Sequence, residues 1–279
     1  SITKAAEVLH LTQPTLSRQV GQMEGELGVK LFDRGARKIA LTNEGLLLRR
    51  RAEEILELVD KTEKELTEQD ERIEGTVSLG CGDLASVELL PPLFRAFRAR
   101  YPAVRFDLYT GTADHIQDRM DRGLTDIGLL MEPVSVEKYE YIRLARQEQW
   151  WAVMHPDAPL ARLARVTPQD LAGQPLILPR RLSVQSELAG WFGEEFDKLN
   201  VVFTSNLPAI SSIVAHNQLA YSITIRGSLS FWDPEKITCR PLYPELKATS
   251  ILAWKRKQPF SPAVSKWIQF AKETLRPAG

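Results

Sequence analysis

Between Thr12 and Leu27 the sequence TQPTLSRQVGQMEGEL can do one kind of chemistry, the reading of a nucleic-acid duplex. Arg18 carries a planar donor fork that pairs with guanine edges, and Gln13, Thr15 and Ser17 carry groups that bond phosphates or bases. Pro14, Arg18, Gly21 and Gly25 share one helical face. A glycine inside a helix costs about 1 kcal/mol against alanine, so two on that face make sense where something must approach the backbone. A second set of residues suits ligand binding: Asp83, Thr110-Gly111-Thr112, Met131, Pro179-Arg180, Asn206 and Thr224 follow the expected strands. Open α/β sheets bind ligands beyond those carboxyl ends. Catalytic patterns are missing: there is no nucleophile elbow, Walker loop, carboxylate pair or metal-spaced His/Cys set. No metal, cofactor or enzymatic activity is implied.

The first set needs a helix to hold it. Thr12 is a good N-cap, Pro14 is tolerated in the first turn, and Leu16, Val20, Met23 and Leu27 form one apolar stripe. Ahead of it, Ser1 is placed to cap a short helix whose inner face is Ile2, Ala5, Ala6 and Leu9. His10-Leu11-Thr12 then makes a tight turn, giving a helix-turn-helix. A plain helical hairpin in a core has the same pattern.

The run AAEVLHLTQPTLSRQVGQMEGELGVKLFDRGARKIALTNEG, Ala5–Gly45, resembles the winged helix-turn-helix of the LysR-type transcriptional regulators. The resemblance implies that Gln13, Pro14, Thr15, Ser17 and Arg18 contact promoter DNA from the helix, and Arg34, Arg37 and Lys38 from the wing. That family carries another helix ahead of the position of Ser1, so the chain is expected to be a fragment.

Thr42 should open a long helix. Leu48, Ala52, Ile55, Val59, Thr62, Leu66, Gln69 and Ile73 alternate by 4 and 3, a heptad seam on an otherwise charged helix, with Gly75 as its end. Either it packs on its own domain or it pairs with a second copy. The resemblance implies pairing, with Leu48, Ile55, Val59 and Leu66 as dimerisation positions in a homodimer or homotetramer.

At 279 residues the chain has room for two or three domains, and 43% hydrophobic with 26% charged residues is ordinary for a water-soluble protein. No apolar run reaches the roughly 20 residues that span a bilayer, so no membrane partner is expected. Cys81 and Cys239 form no motif, and low cysteine use fits the cytoplasm. The zero net charge hides an asymmetry. Ser1–Ala52 holds nine Lys/Arg and five Asp/Glu, whereas Glu53–Glu74 holds three and ten. The positive balance lies where phosphates would need it.

From Thr76 short strands alternate with helices. Strands are expected at Thr76–Gly80, Val104–Thr110 and Asp126–Met131, with helices at Leu89–Arg100, broken early by Pro91-Pro92, and Ala113–Arg122. A second series has strands at Gln149–Met154, Leu176–Leu178, Val201–Thr204 and Leu219–Thr224. Its helices are Val184–Phe196, capped by Ser183, and Ala209–His216. Strands at Ile237–Pro241 and Ser250–Trp254 and a helix after Ser261-Pro262 finish the chain. The expected fold is α/β with two lobes. Resemblance makes this region the family's effector domain, with the fold of type-2 periplasmic binding proteins and a small-molecule effector in the cleft. The expected domains are 1–45 (reading head), 46–74 (linker helix) and 75–279 (effector domain). Lobe I is then 75–144 with 251–279, and lobe II is 145–250. Asp83 departs from the small hydroxyl residues common at its place, and a carboxylate there repels an acidic effector. Arg180 is the candidate clamp for an anion, although Arg180 and Arg181 read equally as a solvated pair. Cys81 reads as a small buried hydrophobe before it reads as a thiol sensor. Two other classes remain beside the regulator: an enzyme, and a small-molecule receptor of periplasmic-binding-protein fold without a DNA role.

Overall fold

The computed structural model describes residues 1–34, 39–67, 73–229 and 232–275, with the backbone alone for Arg34 and residues 64–67. The chain divides into two compact units, Ser1–Glu63 and Lys64–Gly279.

In the first unit, α1 (Ile2–Val8) and α2 (Gln13–Leu27) are joined by a turn in which His10 takes a positive φ of 53°. Thr12 caps α2, its hydroxyl accepting the Thr15 amide at 3.4 Å, and Gly28 ends it in the left-handed conformation at φ 69°. Ser1 holds the cap position of α1 but makes no side-chain cap bond. Strands β1 (Phe32–Arg34) and β2 (Ile39–Leu41) pair antiparallel as the wing. The Thr42 hydroxyl accepts the Gly45 amide at 3.0 Å as α3 (Asn43–Thr67) begins.

The apolar stripe of α2 differs from the expected one. Met23 and Leu27 are 45% and 54% exposed, while Glu24 is 4% exposed. The inward line runs Leu16, Val20, Glu24, at a spacing of four. Glu24 turns in because the segment after α2 presents amides that need an acceptor. In α1, Ala6 is buried but Ala5 and Leu9 are exposed. Along α3, Leu48 and Ala52 are half-buried and Ile55 and Val59 exposed. The side chain of Leu66, and Gln69, lie outside the described residues. Ile73 is not on the helix but packs on the core of the second unit, and Gly75 opens a strand instead of ending α3.

The second unit holds β3 (Gly75–Cys81), α4 (Leu90–Arg100), β4 (Val104–Thr110), α5 (Ala113–Asp121) and β5 (Ile127–Met131). Then come β6 (Tyr139–Met154), α6 (Pro168–Leu171), β7 (Pro175–Pro179), α7 (Leu182–Phe192), β8 (Asn200–Ser205), α8 (Pro208–His216) and β9 (Tyr221–Ile225). It closes with β10 (Thr238–Pro241), β11 (Lys247–Lys255) and α9 (Pro262–Leu275). One sheet runs β4-β3-β5-β11-β6-β9-β7-β8, with β10 also on β6. Each half has three parallel strands, β4-β3-β5 and β9-β7-β8. The two long strands β6 and β11 run antiparallel between them. Strand β6 is ten residues longer at its start than the Gln149–Met154 expected. Opposite Ser250 of β11 lie three residues of β6, 144–146, so the ladder bulges midway.

Pro91 and Pro92 do not break α4; they occupy its first turn, where amides lack intrahelical partners. Helix α7 starts at Leu182 with Arg181 at its cap position, not Ser183, and stops at Phe192 where Gly193 has φ 55°. In the first half of the sheet, α4 and α9 bring Phe97 and Trp267 edge to face at 5.1 Å, both fully buried. Phe106 of β4 joins the same aromatic cluster, 5.0 Å from Trp267, so the two helices are fixed on this half of the sheet.

Candidate functional site

In the first unit, Pro14, Arg18, Gly21 and Gly25 all face solvent. A Cβ built at Gly21 or Gly25 meets nothing within 4 Å. Arg18 makes no hydrogen bond or ion pair with the described residues, whereas Gln13 donates to the Ser17 hydroxyl at 2.9 Å. Thr15 shares a 2.8 Å hydrogen bond with the Thr12 hydroxyl. The α2 face thus carries a free guanidinium among small and polar groups. Arg37 and Lys38, and the side chain of Arg34, lie outside the described residues.

Glu24 fixes the chain that follows. Its carboxylate accepts the amides of Leu31 at 2.8 Å and Phe32 at 3.2 Å, and the Lys30 ammonium at 3.1 Å. The Leu31 amide first, then Lys30, hold its pKa below the ordinary glutamate value. Gly45 closes the other side, where an added Cβ would stand 2.1 Å from the Leu31 carbonyl oxygen. The base of the wing is therefore clamped between α2 and α3.

In the second unit, the carboxyl ends of the strands surround a cavity of about 420 Å³, within the range of small-molecule sites. Leu129, Met131, Trp150, Ile177 and Ile223 form apolar walls, and the first turns of α5, α7 and α8 reach it. Of the expected ligand residues, Asp83, Gly111, Thr112, Met131, Pro179, Arg180, Asn206 and Thr224 line it. Thr110 does not: it is the last residue of β4, paired with Cys81, and its side chain is exposed away from the cavity wall. Thr112 caps α5 through the His115 amide at 3.4 Å. Burial pushes the Asp83 carboxyl above its ordinary value. Arg180 is exposed and its side chain has no partner among the described residues.

Two residues take roles that the sequence alone does not assign them. Arg181 is not a solvated partner of Arg180. It donates to Asp114 at 2.9 Å and to the carbonyls of Met131 at 3.3 Å and Pro133 at 2.5 Å. Glu148 is fully buried; it accepts the amides of Ala85 at 2.7 Å and Ser86 at 3.0 Å, and the hydroxyls of Ser86 at 2.7 Å and Ser250 at 3.0 Å. A signal for Glu148 exists, since it alternates on one face of β6 with the buried Trp150, Ala152 and Met154. Burial, followed by the nearby Asp83 charge, pushes the Cys81 thiol up, which disfavours the reactive thiolate. No three potential metal ligands cluster among the described residues.

The family model for the LysR substrate binding domain matches residues 70–276, and that for the bacterial regulatory helix-turn-helix protein, lysR family, matches residues 1–46. The chain belongs to the LysR family. This LysR-family chain is 28% identical over 284 residues to the Hca operon transcriptional activator HcaR of Escherichia coli, covering 99% of the chain and 93% of HcaR. It is 29% identical over 275 residues to the HTH-type regulator YvbU of Bacillus subtilis, covering 98% and 93%. The crystal structure of full-length CbnR complexed with its target DNA has the same fold, with a TM-score of 0.73, 22% identity and coverage of 98% and 94%. The LysR-family chain is thus a transcriptional regulator that joins a DNA-binding helix-turn-helix to an effector-binding domain, in a family of regulators and not of enzymes. No helix among its described residues is long and apolar enough to cross a membrane.

Proposed function

We propose that the α2 face reads promoter DNA through Gln13, Pro14, Thr15, Ser17 and Arg18, with Arg34, Arg37 and Lys38 on the wing, and that an effector in the cleft controls the outcome without being turned over. The functional segments are 1–45, 46–74 and 75–279, the last divided at 144/145 and 250/251. The observation that carries the reading is the bare α2 face, where Arg18 has no partner among the described residues and two glycines leave open space. A guanidinium so placed serves a partner from outside the chain. Arg18→Ala should abolish preference for an operator over random DNA in a footprint while circular dichroism stays unchanged; retained preference refutes the assignment.

The effector is a small molecule with an apolar body and an anionic end. The apolar walls take the body, and Arg180 with the helix starts at Thr112 and Pro208 takes the charge. The cytoplasm is where such a regulator meets both DNA and metabolites. The protein acts on DNA as more than one copy, α3 pairing through Leu48, Ile55, Val59 and Leu66. The exposure of Ile55 and Val59 supports this. Ile55→Asp with Val59→Asp should lower the mass seen by light scattering, and an unchanged mass counts against pairing there.

A further inference from the structure

We propose that Arg181 is a latch between the two halves of the effector domain, a positioning residue that holds the cleft closed. It stands at the start of α7, in the half built on β7, β8 and β9. All three of its acceptors lie in the other half: Asp114 in the first turn of α5, and the carbonyls of Met131 and Pro133 at and beyond the end of β5. The side chain is only 13% exposed, so its charge is held by these partners more than by water. Asp114, by contrast, is 62% exposed and free to move with its helix.

The shape of the guanidinium matters. Nε, Nη1 and Nη2 each serve a different acceptor, in one plane and along divergent directions. A lysine ammonium is a point donor on a flexible stem and does not reproduce that fork. Arg181, Asp114 and Met131 also line the cavity, so the bonds border the space a ligand would enter. Away from the cavity, Glu148 and the close approach of Gly227 to Ala85 tie the halves together. With that side fixed, opening the cleft means parting Arg181 from its three acceptors. The inference rests on the cavity being the effector site, since the latch then sets how often the binding-competent, closed form is populated.

The test measures the distance between spin labels on Arg98→Cys and Lys198→Cys, one in each half, in the full chain with Cys81→Ser and Cys239→Ser. No effector is present, so the outcome is separate from whether the cavity takes one. Arg181→Gln should lengthen the mean distance by more than about 2 Å, the scale of a genuine rearrangement. Arg181→Lys should fall between it and the parent. Asp114→Lys, at an exposed site, sets like charges against each other and should also open the cleft, which keeps the test alive if Arg181→Gln fails to fold. An unchanged distance in the folded variants overturns the latch. So does a loss of thermal stability at constant distance, which would give Arg181 a purely structural role.

Discussion

The wing base and the junction of the two sheet halves are built by the same device, with different reach. In each, an irregular segment is caught between a buried carboxylate and a glycine that approaches backbone. At the wing, Leu31 donates its amide to Glu24 while its carbonyl lies against Gly45. At the junction, Ala85 donates its amide to Glu148 while the same nitrogen lies against Gly227. Glu24 is seven residues from Leu31 and has the Lys30 ammonium beside it. Glu148 is held by neutral donors alone, 62 to 102 residues away. The first arrangement shapes a local turn, and the second decides whether distant elements meet at all.

Glu148→Ala should therefore show the largest effect. It strands two amides and two hydroxyls in the interior, each stranded group costing about 1–3 kcal/mol. Allowing for hydroxyl rotation and entering water, the loss should be about 3–5 kcal/mol in urea unfolding of the effector domain. A loss below about 1 kcal/mol breaks the comparison. Next come the glycines. Gly227→Ala puts a methyl 2.1 Å from the Ala85 nitrogen, and Gly45→Ala puts one 2.1 Å from the Leu31 oxygen. Overpacking of this kind costs about 1–3 kcal/mol. In the full chain, the first should change ligand affinity and leave DNA affinity unchanged without ligand, and the second should weaken DNA binding and leave ligand affinity unchanged; the reverse pattern would show that the two clamps are not separate.

Glu24→Gln should have the smallest effect, and it is distinguished by pH. The folded Glu24 has a pKa below its unfolded value of 4.5, so its contribution is present above that value and lost as pH falls through the lower, folded value. Parent and Glu24→Gln should differ in thermal stability of the first unit at neutral pH and converge below about pH 4.5. A constant gap across that range would remove the charge from the explanation.

What the sequence made legible follows the same division by reach. Caps at Thr12 and Thr112 need only a hydroxyl and an amide three residues on, and both are where the residue order puts them. The parallel strands were readable because α/β alternation implies them, and most of the cavity-lining loops followed from the strand ends. The inward turn of Glu24 was hidden because Met23 and Leu27 fit a helical stripe equally well, and the amides of Leu31 and Phe32 decide between them. Arg181 reads as one of a surface pair until folding brings Asp114, Met131 and Pro133 from 48 to 67 residues away. Thr110 was misplaced for a simpler reason: it belongs to the strand ladder, and the cavity begins one residue later, at Gly111.

The bulge between β6 and β11 has a mechanical meaning. Three residues, 144–146, crowd opposite Ser250, and the hydroxyl of Ser250 reaches Glu148. Covalent backbone runs through this spot in both strands, so the domain has no loose joint. A sheet that crosses its own fold line unbroken bends chiefly by twisting, and the surplus residues supply slack where the twist is greatest. An occupant of the cleft would thus act on the regulator as a small torque spread over two strands, a motion of limited travel and definite axis.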